Sequence, residues 1–171
     1  MSREGSSVIV DLEGTIAELA PRVLRYANAR LGDPALAQDI AQESLAALVR
    51  ACRNGGAPDS AEAFVFAIAR RRAGRAAWRR QFWAPLDLAF GARSDAPSPE
   101  ARAIALDESA RVRAALARLS SRDREAILIV AVGGLAMADA AAALGLSISA
   151  VKMRVSRARA RLAALLEERH G

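Results

Sequence analysis

GLSISAVKMRVSRARARL, residues 145–162, opens on turn chemistry, becomes periodic, and carries five cationic side chains with no acid among them. A charge run is more often a wet helix surface than a contact, so the neighbouring residues must choose between these readings. Just upstream, Ala141, Gly145 and Val151 stand at the spacing of a helix-turn-helix. A small residue lets the two helices cross closely, glycine permits the positive φ of a tight turn, and the aliphatic fills the angle between them. Ser147 is placed to cap the second helix. In an alanine-rich chain the small residue is easily matched by chance, so the helical projection carries more weight.

That projection puts Ile148, Val151, Val155, Ala158, Leu162 and Leu165 on one stripe, expected to be buried. Opposite lie Ser149, Met153, Ser156 and Arg157, flanked by Lys152 and Arg159 on one side and by Arg154 and Arg161 on the other. A short polar strip between cations suits a major groove, where central side chains reach base edges and flanking charges meet phosphates. Cations attracted to the negative C-terminal end of a helix dipole would explain Arg159 and Arg161. They would not explain charge that begins in the first turns. The candidate DNA-reading residues are therefore Ser149, Lys152, Met153, Arg154, Ser156, Arg157 and Arg159.

Composition agrees with an all-α class. Of 171 residues 53% are hydrophobic but only 4% aromatic, and the helix formers Ala, Leu and Arg dominate. The net charge of +6 favours polyanionic partners. The excess is uneven: acids outnumber bases up to Ser60, whereas 70–80 and 152–161 contain no acid. Cys52 is the single cysteine and His170 the single histidine, so neither a disulfide nor a metal-ligand spacing is written here. No glycine loop suited to phosphate precedes a helix. No catalytic residue, metal or cofactor is expected. The N-terminus lacks the order of a signal peptide, and the uncharged run 126–138 is too short to span a bilayer. A cytoplasmic protein without membrane insertion is expected.

GARSDAPSPEARA, residues 91–103, is the strongest boundary, with Gly, Ser and two prolines and no apolar period. It divides the chain into a helical unit over 10–90, a flexible or extended linker over 91–107, and a second helical unit over 108–168. In the first, 12–31 reads as one or two helices, with Pro21 as a possible break. Asp33 and Pro34 open the next helix. Its Leu36, Ile40, Leu45 and Leu48 suit a buried stripe, with Asp39, Gln42 and Glu43 outward. A further helix runs from about 61 to 81, with Phe64, Ile68 and Phe66 assigned inward. In the second unit a helix spans about 109–119. Ser120 caps another, which the glycines 133 and 134 end.

The helix of the first unit also holds Arg70, Arg71, Arg72, Arg75, Arg79 and Arg80, interleaved with Trp78, Phe82 and Trp83. Arginine neutralises phosphate and aromatic rings stack on bases. A small core with an arginine rim would read the same way.

Taken in order, these features resemble the bacterial RNA polymerase sigma factors of the extracytoplasmic-function type, over about residues 19–166. GDPALAQDIAQESLAAL is similar to the segment of that family that docks on core polymerase, which implies that role for Asp39, Gln42 and Glu43. AFVFAIARRRAGRAAWRR is similar to its promoter-melting and −10 segment, implying DNA contact by Arg70, Arg71, Arg72, Arg75, Trp78, Arg79 and Arg80. Arg53 and Asn54 fall in the corresponding −10 specificity loop. LARLSSRDREAILIVAVGGLAMADAAAALGLSISAVKMRVSRARARL resembles the −35 domain nearly end to end. The resemblance implies two small helical domains, sigma2-like and sigma4-like, the latter with the helix-turn-helix, joined by a flexible linker. It further implies core RNA polymerase, promoter DNA and an anti-sigma factor as partners. The chain departs from the family pattern at Phe64 for Trp, Arg71 for Asn, Arg75 for Asp, Ala150 for Thr and Met153 for Ser. No promoter sequence therefore transfers. Two competing readings share part of this evidence: a stand-alone helix-turn-helix regulator, and a sigma-like decoy that sequesters a partner protein.

Overall fold

A computed structural model describes residues 12–83 and 110–168. The expected linker over 91–107 lies outside the described residues, as do 84–90, 108–109, the N-terminal eleven residues and His170. The side chain of Arg80 and those of Phe82 and Trp83 also lie outside them. Among the described residues all regular structure is helical, and no helix is long and apolar enough to cross a membrane.

Helix α1, Leu12–Leu31, is continuous through Pro21. A proline inside a helix costs about 3 kcal/mol. Here it sits on the exposed face, while Leu19, Val23, Tyr26 and Ala27 bury the opposite one. Burial of that stripe offsets the lost backbone bond. Helix α2, Pro34–Arg53, starts as its sequence dictates: the Asp33 carboxylate accepts from the Leu36 N–H at 3.0 Å, with Pro34 in the first turn. Ile40, Leu45 and Leu48 are buried and Leu36 half-buried. Helix α3, Ala61–Trp83, buries Phe66 as expected but not Phe64 or Ile68 fully. Val65, Phe66, Ala69 and Ala73 are fully buried, whereas Phe64 and Ile68 are only half-buried. The chain's acid-free arginine run crowds the side of α3 that Phe64 and Ile68 had been given, so the small and aromatic residues at 65, 66, 69 and 73 take the interior.

After a helix over 110–117, designated α4, Ser120 caps α5, Ser121–Ile127, by accepting from the Asp123 N–H at 3.1 Å. The helix then widens into a π-helical turn, Leu128–Val132. Helices α6, Met137–Leu144, and α7, Ile148–Glu167, complete the chain.

The two halves do not keep separate cores. One buried cluster runs from Leu19, Tyr26 and Phe66 through Ile129 and Leu135 to Val151 and Val155. Its centre is Phe66, packed edge-to-face on Tyr26 with centroids 5.6 Å apart. Gly133 lies flush against that ring: a Cβ there would stand 2.6 Å from Phe66 Cε1 and 2.5 Å from the Ile129 carbonyl oxygen. Beside this contact Arg22 of α1 donates through Nε to the Gly133 carbonyl and through Nη2 to that of Gly134, each at 2.9 Å. The same guanidinium grips Glu62 of α3 at 2.7 and 3.2 Å. Ser60 Oγ bonds Asp139 Oδ1 at 2.6 Å. A smaller cluster, with Ala115, Leu119, Ile127, Ala158 and Leu165, joins α4, α5 and α7.

Gly133→Ala should destabilise the whole described fold by about 1–3 kcal/mol, the usual cost of overpacking. Urea unfolding followed by circular dichroism measures this. Unchanged stability would mean that the halves do not share this contact in solution.

Candidate nucleic-acid interface

The helix-turn-helix forms as its spacing requires. Ala141 and Val151 are 4% and 0% exposed, and Gly145 adopts φ +66°, a left-handed value costly for any side chain. The Leu146 N–H returns to the Ala141 carbonyl at 3.0 Å, closing α6. Ser147 Oγ accepts from the Ala150 N–H at 3.2 Å and so starts α7. Along α7, Val151, Val155, Ala158 and Leu165 are buried and Leu162 is half-buried. Ile148, the first residue of α7, departs from the expected stripe: it is 45% exposed.

The outer face of α7 is open. Ser149, Lys152, Met153, Ser156, Arg157 and Arg159 are exposed, Met153 at 62%, and Arg154 is half-buried. Ser149 Oγ lies 3.0 Å from that of Ser147, so its hydroxyl is steered by the cap. Arg157 reaches sideways to Asp123 of α5 at 3.1 Å. Asp123 thus caps nothing in return and instead orients a cation of the strip. The Arg157 side of this pair is largely in water, where such bonds exchange readily with other anions.

On the first unit the candidates share one place. A groove of about 600 Å³ runs between α2 and α3. Asp39 and Glu43 form one wall, with Leu36 and Ile40 at its base, and Arg71, Arg72, Arg75 and Arg79 form the other. Glu43 is ion-paired with Arg72 across it. Residues expected to face polymerase and residues expected to face DNA therefore meet in a single cleft. Gln42 is exposed on α2, as are Arg53, which ends that helix instead of opening the expected loop, and Asn54 just beyond it. Trp78 stands 59% exposed on α3. Arg70 is separated from its neighbours, turning away from the groove to bond Glu125 of α5 at 3.3 Å.

Sequence reasoning passed over the seam altogether. Arg22 and Glu62 are ordinary surface charges in a linear reading, and nothing in spacing ties residue 22 to residues 133 and 134. The hydrogen bond to Glu62 holds the Arg22 guanidinium charged above its usual range, against the pull of burial. Tyr26, the only tyrosine, was the one available signal.

Replacing the cap, Ser147→Ala, should cost about 1 kcal/mol and fray the first turn of α7. Thermal unfolding and amide exchange at Ala150 and Val151 report it, and a silent substitution would remove Ser147 from the positioning of the strip.

Comparison with known proteins follows the same division. Residues 15–83 match the family model of Sigma-70 region 2, and residues 109–162 that of Sigma-70, region 4. The RNA polymerase sigma factor CnrH of Cupriavidus metallidurans is 34% identical over 82 residues, 48% of this chain. That match spans 43% of the relative, less than half its length. Among solved structures, CnrH in complex with the cytosolic domain of CnrY superposes with a TM-score of 0.68 at 26% identity, covering 96% of this chain and 92% of that one. The sigma factor RpoE in complex with the anti-sigma factor NepR, from Bartonella quintana, gives 0.63 at 25%, covering 92% and 97%. Carrying both region 2 and region 4 in a single chain, the molecule belongs to the sigma-70 family of sigma factors, in the arrangement of the extracytoplasmic-function type.

Proposed function

We propose that this chain binds core RNA polymerase in the cytoplasm and directs it to promoters, acting as a non-enzymatic initiation factor. The observation that carries the reading is the open face of α7, where Ser149, Lys152, Met153 and Ser156 stand exposed above a buried stripe. In this reading the second unit, 108–168, lays α7 in the major groove of a −35 element. Lys152, Arg154 and Arg159 neutralise phosphates, while Ser149, Met153, Ser156 and Arg157 meet base edges.

The first unit, 10–90, holds core polymerase through Asp39, Gln42 and Glu43. It captures an unpaired −10 strand with Arg53, Asn54, the arginines of α3 and Trp78. Unstacking a base step costs a few kcal/mol, offset by base stacking on aromatic rings and by phosphate contacts. Two weak DNA surfaces become selective when tethered to one polymerase, because the second contact is then intramolecular. Residues 91–107 serve as the tether.

The seam between the units supports one further partner. Both solved relatives were captured with a second protein, the cytosolic domain of CnrY and the anti-sigma factor NepR. An anti-sigma factor that favours the closed arrangement would keep both DNA surfaces from engaging together.

Mixing the purified chain with sigma-free core polymerase and a library of promoter fragments should yield specific transcripts. Core binding without transcript would favour a decoy, and DNA binding without core affinity a stand-alone regulator. Arg157→Ala should weaken −35 recognition well beyond its effect on core binding; equal loss of both would overturn the assignment of the strip. Lys152→Ala should weaken all sequences alike and lower the slope of log K against log salt by about 0.9. An unchanged slope would place Lys152 off the phosphate backbone.

A further inference from the structure

At the seam, away from the α2–α3 groove, two arginines flank one carboxylate and a third stands within the field of one of them. Glu125 of α5 lies 3.3 Å from Arg70 of α3 and 3.8 Å from Arg30 of α1. The second distance is too long for a hydrogen bond. Arg124, its neighbour on α5, stands close enough to Arg30 for the two charges to repel, and it has no ion pair or side-chain hydrogen bond. Tyr26 of α1 is 0% exposed and lies within the field of Glu125, Arg30 and Arg70.

The unmet hydrogen-bonding capacity of the described residues is concentrated in this one place. The buried side-chain nitrogen and oxygen atoms without a partner are Tyr26 Oη and the Nε atoms of Arg30, Arg70 and Arg124. All four are donors. The phenol keeps its proton, since burial above all pushes its pKa up. Burial first, and then the charge of Arg30, pulls Arg124 below its ordinary value. A buried donor left unpaired costs on the order of 1–3 kcal/mol, and more when charged. Three guanidinium groups against one carboxylate also leave two positive charges unbalanced in a half-buried setting. A protein core tolerates such an excess when an anion completes it.

We infer that the seam formed by Tyr26, Arg30, Arg70 and Arg124 is a binding site for a small dianionic oxyanion of the phosphate class. Such an anion supplies acceptors for four donors and cancels the two surplus charges at once. It touches α1 and α3 of the first unit and α5 of the second, so it bridges the units and favours their closed arrangement. Nothing in this inference depends on promoter recognition. Lys152 and Arg157, exposed on α7, serve as controls.

The test uses the full chain, with inorganic phosphate as the probe and chloride at matched ionic strength as reference. Isothermal titration should show saturable phosphate binding, and the melting temperature should rise with phosphate as the linkage relation requires. Arg124→Met keeps the packing stem and removes the charge; it should weaken phosphate binding about tenfold or more. Tyr26→Phe removes a single oxygen, leaves the Phe66 contact intact, and should weaken binding in the same direction. Lys152→Ala and Arg157→Ala should leave it unchanged. Absence of saturable binding would overturn the inference, as would full retention in both seam variants. Loss in the α7 variants alone would likewise overturn it by placing the anion on the exposed face.

Discussion

Arg22 holds two backbone carbonyls and the Glu62 carboxylate at the same time, and the fold is organised around that grip. The carbonyls of Gly133 and Gly134 end a helix, where acceptors have no partner within the helix and carry the negative end of its dipole. A guanidinium with donors fixed in a plane can satisfy both while two further bonds neutralise it on Glu62. Next to this polar clamp, Phe66 fills the space that a side chain at 133 would need. Apolar contact and charged clamp work on the same two glycines. Either half of the chain, poor in aromatics and rich in alanine, has little surface to bury alone; joined at this point they share one core.

That closure sorts the chain's many cations. Arg22, Arg30 and Arg70 are drawn to the seam, where they face carbonyls, Glu62 and Glu125, while Arg124 lies near Arg30 with its Nε unpartnered. Arg71, Arg75 and Arg79 on α3 and Arg157, Arg159 and Arg161 on α7 stay outward, with Arg72 and Arg154 half-buried beside them. Two of these are restrained by single acids, Arg72 by Glu43 and Arg157 by Asp123. Such exposed pairs are worth little in water, a fraction of a kcal/mol to about 1 kcal/mol. They orient a side chain yet yield to a phosphate. The acids of this basic chain are accordingly placed where they hold arginines in position, more than where they balance charge in bulk.

The groove between α2 and α3 gives the acidic face of α2 a second character. Asp39 and Glu43 look outward, as a docking surface for another protein must, but they also form the wall opposite four arginines. A partner engaging α2 would compete with the Glu43–Arg72 pair and so alter the cationic wall of α3. The residues proposed to touch protein and those proposed to touch DNA on the first unit thus line one cleft.

Much was legible in the chain itself. The helix-turn-helix followed from Ala141, Gly145 and Val151, its caps from Ser147 and Ser120, and the start of α2 from Asp33 and Pro34, because these features depend on residues three to six apart. The open strip on α7 followed from a period that any helix imposes. Where the linear reading slipped, at Ile148 and at Phe64 and Ile68, a hydrophobic residue had been assigned inward without knowledge of what would cover it. The seam was out of reach for a deeper reason: Arg22 meets Gly133, Ser60 meets Asp139, and Arg70 meets Glu125 only after helices far apart in sequence are packed. Local periodicity determines which face of a helix is apolar; which charges end up inside is decided by the neighbour that the packed chain brings against them, since a buried cation survives only where an acceptor arrives from elsewhere.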